Sequence, residues 1–413
     1  MRIRNPLSGL PREVGVLVVI AFLVALGFGI VAPAIPLFAR QFGVSYFAVG
    51  AVVSAFAFMR FISALGAGTI VDRLGERVVL TAGVWIVAIS SALAGLSKTY
   101  EQLLLLRGIG GVGSAMFTVS ALGLLLRSAG GGERGRAAGV FQGGFLLGGI
   151  SGPALGGLIS AYSIRATFFI YAGMLIIAGT FAITALRNSP TARRDHTSHK
   201  DESERGLAPL MLALRNRSFV TALVINLGNG FSSFGLRAAL VPLFVVEALN
   251  KGPVLAGIGF FVAAGIQAIL LIPAGRISDE RGRKPALIAG TSAVTLGMLV
   301  LALSHSPVVF LIAMAVLGIG SAFMGSAPAA VVGDVSPTRG GTVVAAFQMA
   351  SDFGAITGPL IAGLLVAQAG YSVAFCAGAT VAACGLLLAL SMKETHARVL
   401  KKARLETDST GEI

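Results

Sequence analysis

Charged residues are scarce in this chain, and their scarcity excludes most classes of soluble protein. Only 12% of the 413 residues are charged, whereas 55% are apolar and the mean hydropathy is +0.86. A soluble globular protein carries about 25% charged residues. Glycine is abundant instead, with 55 residues, and small residues let membrane helices approach closely. We therefore predict a membrane protein and exclude a soluble α/β enzyme.

Several chemical motifs are also missing. The sequence has no Gly-x-x-x-x-Gly-Lys-Ser/Thr loop, so ATP is not expected to drive it. No metal-ligand cluster and no nucleophile–base arrangement is visible, so we predict neither an enzyme nor a metal site. The two cysteines, Cys376 and Cys384, lie about 12 Å apart along one predicted helix, too far for a disulfide. We expect both to be inert core residues.

The chain contains twelve apolar stretches. A helix needs about 20 residues to span a bilayer, and each stretch is close to that length or longer. They cover residues 14–39, 47–71, 78–97, 101–126, 137–161, 164–187, 217–246, 253–275, 285–304, 306–332, 341–368 and 371–392. The first is too long for the apolar core of a signal peptide, and no cleavage site follows it, so we expect it to be retained.

The basic residues are distributed unevenly over the predicted loops. Of 32 lysines and arginines, 25 lie in the N-terminus, the even-numbered loops, the middle segment or the tail, and only 4 lie in the odd-numbered loops. By the positive-inside rule both termini are cytoplasmic. The net charge of +14 is thus a topology signal, and we expect a lipid bilayer rather than a nucleic acid as partner.

The two halves of the chain repeat each other at an offset of 206 or 207 residues. For example, Ile35-Pro36-Leu37-Phe38 matches Val241-Pro242-Leu243-Phe244, and Gly152-Pro153 matches Gly358-Pro359. Six helices in each half give both halves the same orientation, as in a parallel repeat. We predict an N-terminal bundle over residues 1–187, a cytoplasmic linker over 188–216, a C-terminal bundle over 217–392 and a tail over 393–413.

The middle segment is mixed in charge and poor in apolar residues until Leu207. Such a segment cannot bury enough apolar surface to order itself well, which indicates a linker. A membrane-facing piece at Leu207–Leu214 is possible. His196 and His199 could bind a metal, although a solvated linker explains them equally simply.

A basic loop motif follows both the second and the eighth stretch. The first copy comprises Gly68, Asp72, Arg73, Gly75 and Arg77, and the second comprises Gly275, Asp279, Arg281, Gly282, Arg283 and Lys284. Gly75 suits a tight turn, and the Asp72 carboxylate can bond the arginines and face the amide donors at another helix's N-terminus. The motif predicts a conformational latch, and a role in topology alone is the alternative.

The fourth stretch contains Leu106-Arg107-Gly108-x-x-Gly111-x-Gly113, which places an arginine six residues inside the membrane. An arginine there costs several kcal/mol unless it is paired or hydrated. We therefore predict that Arg107 faces an interior cavity, with a structural ion pair as the alternative.

The fifth stretch carries a row of small residues around a proline: Gly148, Gly152, Pro153, Gly156 and Gly157. Residues 148, 152 and 156 share one helical face, which permits a close helix crossing, while the proline bends the helix. The eleventh stretch repeats the pattern as Gly354-x-x-x-Gly358-Pro359.

Together these motifs make the chain similar to the major facilitator superfamily (MFS), and within it to the twelve-helix drug–proton antiporter branch. The resemblance covers nearly the whole chain. It implies two pseudo-symmetric six-helix bundles, a latch from Asp72 to the eleventh helix near Gly341 in the outward-open state, and a proton-coupling role for Arg107. The fifth-helix motif resembles the one that distinguishes efflux from uptake.

The chain departs from the family pattern at three places. Glu76 stands where a basic residue is usual, and Gly110 stands where glutamine is frequent. The first helix carries the family-like Gly27-x-Gly29-x-x-x-Pro33, but Val24 stands where some members have an acid. A first-helix proton carrier is therefore absent, and the coupling residue must lie elsewhere.

Four charged residues lie well inside predicted helices: Arg60, Arg107, Arg237 and Asp352. Asp352 is the only acid among them, about 17 Å along the eleventh helix. It shares a face with Gln348 and lies nearly opposite Gly354 and Gly358, so it points elsewhere if the glycine face packs on a neighbour. We predict that Asp352 takes up and releases the coupled proton, with a permanently ionised structural bridge as the alternative.

Polar residues within the predicted helices are candidates for substrate contact, together with phenylalanines of the first, fourth, seventh and tenth helices, which line the cavity in the family. They are Arg60, Gln142, Asn226, Asn229, Arg237, Gln348, Phe28, Phe117, Phe231, Phe234 and Phe323. For each phenylalanine, packing or lipid contact is the commoner role. We expect Glu247 to be solvated near the outer end of the seventh helix, with a proton site on the outer side as the alternative.

We therefore predict a monomeric secondary transporter of the cell membrane. It exports lipophilic or amphipathic small molecules by alternating access, with the proton as coupling ion and no other cofactor. The alternatives are a facilitator or proton symporter for a sugar or other small metabolite, and a receptor or scaffold that retains the fold without transport.

Overall fold

The computed structural model describes residues 10–129, 133–187, 208–335 and 341–396, and these residues form helices but no strand. Twelve of the helices in the described ranges are long and apolar enough to cross a membrane. Each coincides with one of the predicted apolar stretches to within a few residues. The prediction of an all-α, multi-pass membrane protein is confirmed.

The first half of the chain contributes six of these helices. They are α1 (Arg12–Arg40), α2 (Tyr46–Leu74), α3 (Glu76–Gly95), α4 (Tyr100–Ser128), α5 (Arg134–Tyr162) and α6 (Ile164–Ala185). Helix α1 is interrupted after Val31 and resumes at Ala34. Pro33 lies at the interruption, where its ring and missing N–H are incompatible with a continuous helix.

The second half contributes the other six. They are α7 (Arg217–Ala248), α8 (Pro253–Glu280), α9 (Arg283–Ala302), α10 (Pro307–Val335), α11 (Gly341–Ala369) and α12 (Tyr371–Ser391). Helix α7 contains two π-helical turns, at Gly230–Leu236 and Phe244–Ala248. Such turns in an α-helix are frequent at functional sites.

Helix ends follow from local sequence. Ser45, Thr99 and Ser306 each accept a hydrogen bond from a backbone N–H in the first turn of α2, α4 and α10. These caps satisfy donors that the helix itself leaves unpaired. Gly75 and Gly282 have φ of 83° and 110° and separate α2 from α3 and α8 from α9. A positive φ favours glycine, as the loop motif predicted.

The same helix pairs pack in both halves of the sequence. Helix α1 packs on α5, and α3 packs on α4 and α6; correspondingly α7 packs on α11, and α9 packs on α10 and α12. The repeat in the sequence is therefore a repeat in tertiary structure, and the prediction of two pseudo-symmetric six-helix bundles is confirmed.

The chain divides into two compact units. The first comprises Met1–Ser198 with Val241–Phe261, and the second comprises His199–Leu240 with Val262–Ile413. The C-terminal end of α7 and the start of α8 thus belong to the first unit. The domain boundaries given by the sequence remain a prediction.

Between the two halves, Ala208–Leu214 forms a short helix on the predicted membrane-facing segment, with Met211 and Leu212 exposed. His196 and His199, the rest of the linker before residue 208 and the tail after residue 396 lie outside the described residues. The prediction that Cys376 and Cys384 are core residues is wrong, because both are exposed on α12. A helix of a membrane protein presents apolar residues to lipid as well as to the core, so hydropathy alone does not distinguish the two faces.

Candidate functional site

The glycine row of α5 lies directly against α1 within the first unit. A Cβ on Gly152 would lie 2.6 Å from the Cα of Gly29 and 2.6 Å from the carbonyl oxygen of Leu26. A Cβ on Gly148 would meet the backbone nitrogen of Leu26 at 2.7 Å, and one on Gly156 would meet Ile30 at 2.9 Å. The two backbones therefore touch where the shared face predicted a close crossing.

Gly157 faces a different neighbour. A Cβ there would lie 3.0 Å from the Cα of Gly257 and 3.1 Å from the carbonyl oxygen of Pro253, both at the start of α8. A Cβ on Gly257 would in turn lie 2.6 Å from the carbonyl oxygen of Pro153. The α5 motif thus has two contact faces, one for α1 and one for the segment 253–261.

Helix α11 repeats this arrangement on α7 in the second unit. A Cβ on Gly354 would meet the backbone nitrogen of Phe231 at 2.5 Å, and one on Gly358 would meet the Cα of Gly235 at 3.1 Å. The glycine face of α11 therefore packs on a neighbouring helix, as the prediction for Asp352 required, and Asp352 lies elsewhere on the helix. Asp352 is half-buried, and its coupling role remains a prediction.

Arg107 is buried in the first unit, with 4% of its surface exposed. Its guanidinium carbon lies 4.5 Å from the ring centroid of Phe56 on α2, within cation–π range. Its Nε atom is buried and has no hydrogen-bond partner among the described residues. Gly111, one turn further along α4, would bring a Cβ to 3.0 Å from the backbone nitrogen of Arg60, so Arg60, itself half-buried, lies on the neighbouring helix at the same level.

Aromatic rings extend from Phe56 across the first unit. Phe28 stacks on Phe56 with centroids 6.1 Å apart and meets Tyr171 of α6 edge-on at 6.4 Å. A small cavity of about 20 Å³ lies beside this cluster, lined by Val24, Val84, Val87, Ser114, Phe117, Tyr171 and Leu175. The structure therefore brings the predicted residues Arg107, Phe28 and Phe117 to one region.

Sequence reasoning missed Phe56 and Tyr171. Phe56 is one of 25 phenylalanines, and nothing in the sequence distinguishes it. Tyrosine is rarer, with only 5 residues, so Tyr171 within a membrane helix offered a usable signal. A buried tyrosine usually finds a hydrogen-bond partner, which makes it a candidate for a polar site.

The other substrate candidates are dispersed. Gln142 and Gln348 are exposed, Phe234 is 63% exposed, and Phe231 is buried at the α7–α11 contact. Phe323 is half-buried and lies against Gly290 of α9. These positions give no single cluster with Arg107.

The polar residues of α7 have separate environments in the second unit. The Asn226 side chain is buried and donates to the carbonyl oxygen of Phe347 on α11 at 2.7 Å, so it joins two helices. Asn229 lines a small apolar cavity with Thr291, Val294 and other residues of its own unit. Arg237 is half-buried, and within the described ranges its Nε atom has no hydrogen-bond partner.

The first loop motif holds helix ends of the first unit together. Gly68 is half-buried, and Asp72 and Arg73 are exposed. Arg77 donates to the carbonyl oxygens of Ile183 and Arg187 at 3.2 and 3.3 Å, at the C-terminus of α6. A cation is favoured at that helix end. Glu76, which departs from the family pattern, accepts a hydrogen bond from Arg127.

The second loop motif is paired through Arg283. Of its other members, Gly275 is half-buried and Arg281 is exposed. The guanidinium of Arg283 donates to Asp279 at 2.5 Å, to Asp334 at 3.1 Å and to the hydroxyl of Ser278 at 3.0 Å. The motif therefore connects the end of α8, the start of α9 and the end of α10. The contact expected from Asp72 to the start of α11 remains a prediction.

Glu394, just after α12, completes this group and was not identified from the sequence. Its carboxylate accepts from the backbone N–H groups of Arg283 at 2.9 Å and Lys284 at 3.0 Å, the first residues of α9. Burial alone would raise the pKa of Glu394, but backbone donors from His396, Arg283, Lys284 and Thr395 together lower that pKa below its ordinary value. Glu394 thus acts as an N-terminal cap supplied by a distant segment.

Glu247 is not simply solvated, contrary to expectation. Its carboxylate accepts from Arg40 Nε at 3.1 Å and from the hydroxyl of Tyr46 at 2.6 Å, and 27% of the side chain is exposed. Arg40 also lies 4.3 Å from the Tyr46 ring centroid. The C-terminal end of α7 is therefore bound to α1 and α2 within the first unit. The contact joins residues 207 positions apart, so no local pattern reveals it.

Comparison with known proteins agrees with this architecture. A family model described as Major Facilitator Superfamily matches residues 17–266 and 222–410. The chain is 28% identical to multidrug resistance protein 1 of Bacillus subtilis (strain 168) over 83% of this chain and 87% of that protein. It is 27% identical to multidrug resistance protein MdtG of Citrobacter koseri over 87% of this chain and 89% of that one.

The solved structure of the nucleoside transporter NupG is similar in fold. It has a TM-score of 0.74 at 16% identity, over 92% of this chain and 100% of that one. At that identity the likeness concerns the fold alone.

Proposed function

The chain belongs to the major facilitator superfamily, and on that premise we propose that it exports lipophilic or amphipathic small molecules across the cell membrane in exchange for protons. The α5 glycine motif carries this proposal. Its Gly148, Gly152 and Gly156 lie against the backbone of α1, and Gly157 lies against α8. This is the motif that resembles the drug–proton antiporters, and two relatives that align over most of the chain are named multidrug resistance proteins.

Asp352 is the proposed proton carrier. It is the only acid well inside the described membrane helices, where Arg60, Arg107 and Arg237 supply the other charges. An ionisable residue within a membrane helix marks a functional site by default. The carboxylate binds one proton from the outer side and releases it to the cytoplasm as the transporter alternates between its two states. Arg107 supports proton coupling because its positive charge can attract a negatively charged group.

The two loop motifs and Glu247 are proposed to set the balance between those states. On the cytoplasmic side, Asp72 and its copy Asp279 lie at helix ends where charge-assisted contacts can form and break. On the outer side, Arg40, Tyr46 and Glu247 form a hydrogen-bonded group. Each group is small, so each shifts the equilibrium between the two states only modestly and does not hold the transporter in one state. We expect a monomer with both termini in the cytoplasm.

Transport by the purified full-length protein in liposomes tests the proposal. Vesicles with an acidic lumen receive lipophilic probes that carry no titratable group, so that passive pH trapping cannot occur. We expect protein-dependent accumulation that a protonophore abolishes, because protons leaving the lumen drive probe entry. Protein-free vesicles are the control. Uptake that instead requires an alkaline lumen supports proton symport, and uptake independent of the gradient supports a facilitator.

A further inference from the structure

The short helix that precedes α7 lies outside the twelve membrane spans. It covers Ala208–Leu214, and it packs on the first part of α7 and on α11 within the second unit. We call it the linker helix. The backbone N–H of Asn216 donates to the carbonyl oxygen of Ala213 at 2.9 Å, and the side chain of Asn216 accepts from the backbone N–H of Ser218 at 2.9 Å. The linker helix therefore continues directly into α7.

The linker helix has one packed side and one exposed apolar side. Ala213 is 8% exposed, whereas Met211, Leu212 and Leu214 are 64%, 71% and 46% exposed. At 3.6 residues per turn the three exposed side chains lie within about 160° of one another, and Ala213 lies opposite them. Leaving three large apolar side chains in water is unfavourable. Their grouping on one side indicates that this side has an apolar neighbour in the membrane.

The position of the linker helix relative to the bilayer follows from α7. The seventh span begins at Arg217, so the residues directly before it lie at the level of the lipid headgroups. Seven residues of helix extend only about 10 Å, so the linker helix cannot cross the bilayer itself. A helix at this level with one apolar side lies in the interface, with that side in the upper part of the acyl chains.

Two arginines adjoin the exposed apolar side. Arg215 directly follows the linker helix and Arg217 begins α7, and both are exposed. Residues 207–217 contain no acid that could neutralise them. An arginine at the headgroup level attracts anionic lipids, and its guanidinium can donate two parallel hydrogen bonds to one phosphate. The apolar surface and the charge beside it therefore fit the same kind of molecule, a lipid with a negative headgroup.

Going beyond the proposed function, we propose that the linker helix and the start of α7 form a binding site for an anionic phospholipid. Met211, Leu212 and Leu214 contact the acyl chains, and Arg215 and Arg217 bind the phosphate group. Phosphatidylglycerol fits this site because its headgroup carries a net negative charge. Phosphatidylcholine of the same chain length fits less well, because its choline cation cancels that charge and is repelled by the two arginines.

A nitroxide label tests where the exposed apolar side lies in lipid nanodiscs. Leu212→Cys is combined with Cys376→Ala and Cys384→Ala, which remove the two exposed native thiols. Power-saturation EPR compares access of oxygen, which concentrates in lipid, with access of a nickel chelate, which stays in water. Lys251→Cys in the same background is the water reference, because Lys251 is exposed in the loop between α7 and α8.

We expect the label at position 212 to be accessible to oxygen and at least about fivefold less accessible to nickel than the label at position 251. Nickel access equal to that of the reference places the linker helix in water. Exclusion of both reagents means that protein covers the apolar side, either another segment of this chain or a second copy. Each of these two results overturns the lipid site.

Native mass spectrometry of the unaltered full-length protein tests the headgroup preference. The protein is titrated with phosphatidylglycerol or phosphatidylcholine of identical acyl chains. We expect phosphatidylglycerol to bind at least about fivefold more tightly, because two arginines near the surface each favour an anionic lipid. Equal binding of the two lipids overturns the site, and this comparison does not depend on the folding of any variant.

Two double variants then locate the preference. Arg215→Gln with Arg217→Gln should weaken phosphatidylglycerol at least about fivefold and leave phosphatidylcholine unchanged. Arg281→Gln with Lys393→Gln is the matched control, because it removes the same charge from two exposed positions of the second unit that lie outside the linker helix. The control should keep the preference. An equal loss in both double variants means that the attraction comes from the overall positive charge, which overturns the site.

Discussion

The carboxylate of Glu76 accepts a hydrogen bond from the guanidinium of Arg127, joining the start of α3 to the end of α4. In the other half of the chain Arg283 donates to Asp334 at 3.1 Å, joining the start of α9 to the end of α10. Each residue of the second pair stands 207 positions after its counterpart, and the two charges are exchanged. The departure of Glu76 from the family pattern is thus compensated by Arg127, so the contact is kept although its polarity is reversed.

Restoring the usual polarity in the first half should be tolerated only as a double change. Glu76→Arg alone places two cations together, and Arg127→Asp alone places two carboxylates together, one of them on a side chain that is 5% exposed. We expect each single variant to lose about 1–3 kcal/mol, less than a fully buried pair because Arg127 is 36% exposed. The double variant should recover most of this loss.

Thermal unfolding in detergent measures these differences. Glu133→Gln is the control, because the pair of Glu133 with Arg136 is exposed and 3.8 Å long and should contribute almost nothing. If the double variant is no more stable than the two single variants, the pairing of Glu76 with Arg127 does not stabilise the first unit.

Two neighbouring glycines of α5 should respond oppositely to the same substitution. In Gly152→Ala the added methyl lies 2.6 Å from the backbone of α1, and overpacking of this kind costs about 1–3 kcal/mol. At Gly149 the same methyl meets nothing within 4 Å, so Gly149→Ala should be neutral or slightly stabilising through helix propensity. Unfolding temperature and transport rate are the measurements. Equal behaviour of the two variants would show that the α1–α5 contact does not need the glycine row.

Asp352→Asn should separate binding from coupling. The substitution keeps the shape of the side chain but removes the group that can exchange a proton. We expect substrate binding to change less than about threefold, while accumulation driven by a proton gradient falls to the level of protein-free vesicles. Titration calorimetry and the liposome assay give the two values. Continued concentration of substrate in a proton-dependent way would remove Asp352 from the coupling step.

The Glu394 cap should make stability depend on pH. Because the pKa of Glu394 is lowered from its ordinary value of 4.5, its stabilising contribution is complete above that value and is lost as the pH falls through the lowered pKa. The difference in unfolding temperature between the unaltered protein and Glu394→Gln should therefore be largest near about pH 6 and shrink towards about pH 3.

A series of thermal scans from neutral to acidic pH provides the measurement. Glu133→Gln serves as the comparison, since Glu133 pairs only with an exposed arginine in the described structure. A Glu394→Gln difference that stays constant over the whole range would mean that the charged carboxylate is not what caps α9.

The sequence by itself determined the twelve helices, their repeat and the close crossings. The length of the apolar stretches fixes the number of membrane spans. In the membrane the backbone polar groups must form hydrogen bonds within each helix, so few other local conformations are available. The glycines at 148, 152 and 156 share a face by helix periodicity alone, and the same rule placed Asp352 away from Gly354 and Gly358. Gly75 was assigned to a tight turn because glycine tolerates a positive φ, and its φ is 83°.

Only the tertiary structure decided which side chains meet across distant helices. Arg107 with Phe56 and Tyr171, Arg40 with Glu247, and Glu394 with the start of α9 all join positions far apart in the chain. The same lack of long-range information led to the wrong prediction for Cys376 and Cys384. Hydropathy reports that a residue can leave water, but in a membrane both the lipid and the core satisfy that requirement, and only packing distinguishes them.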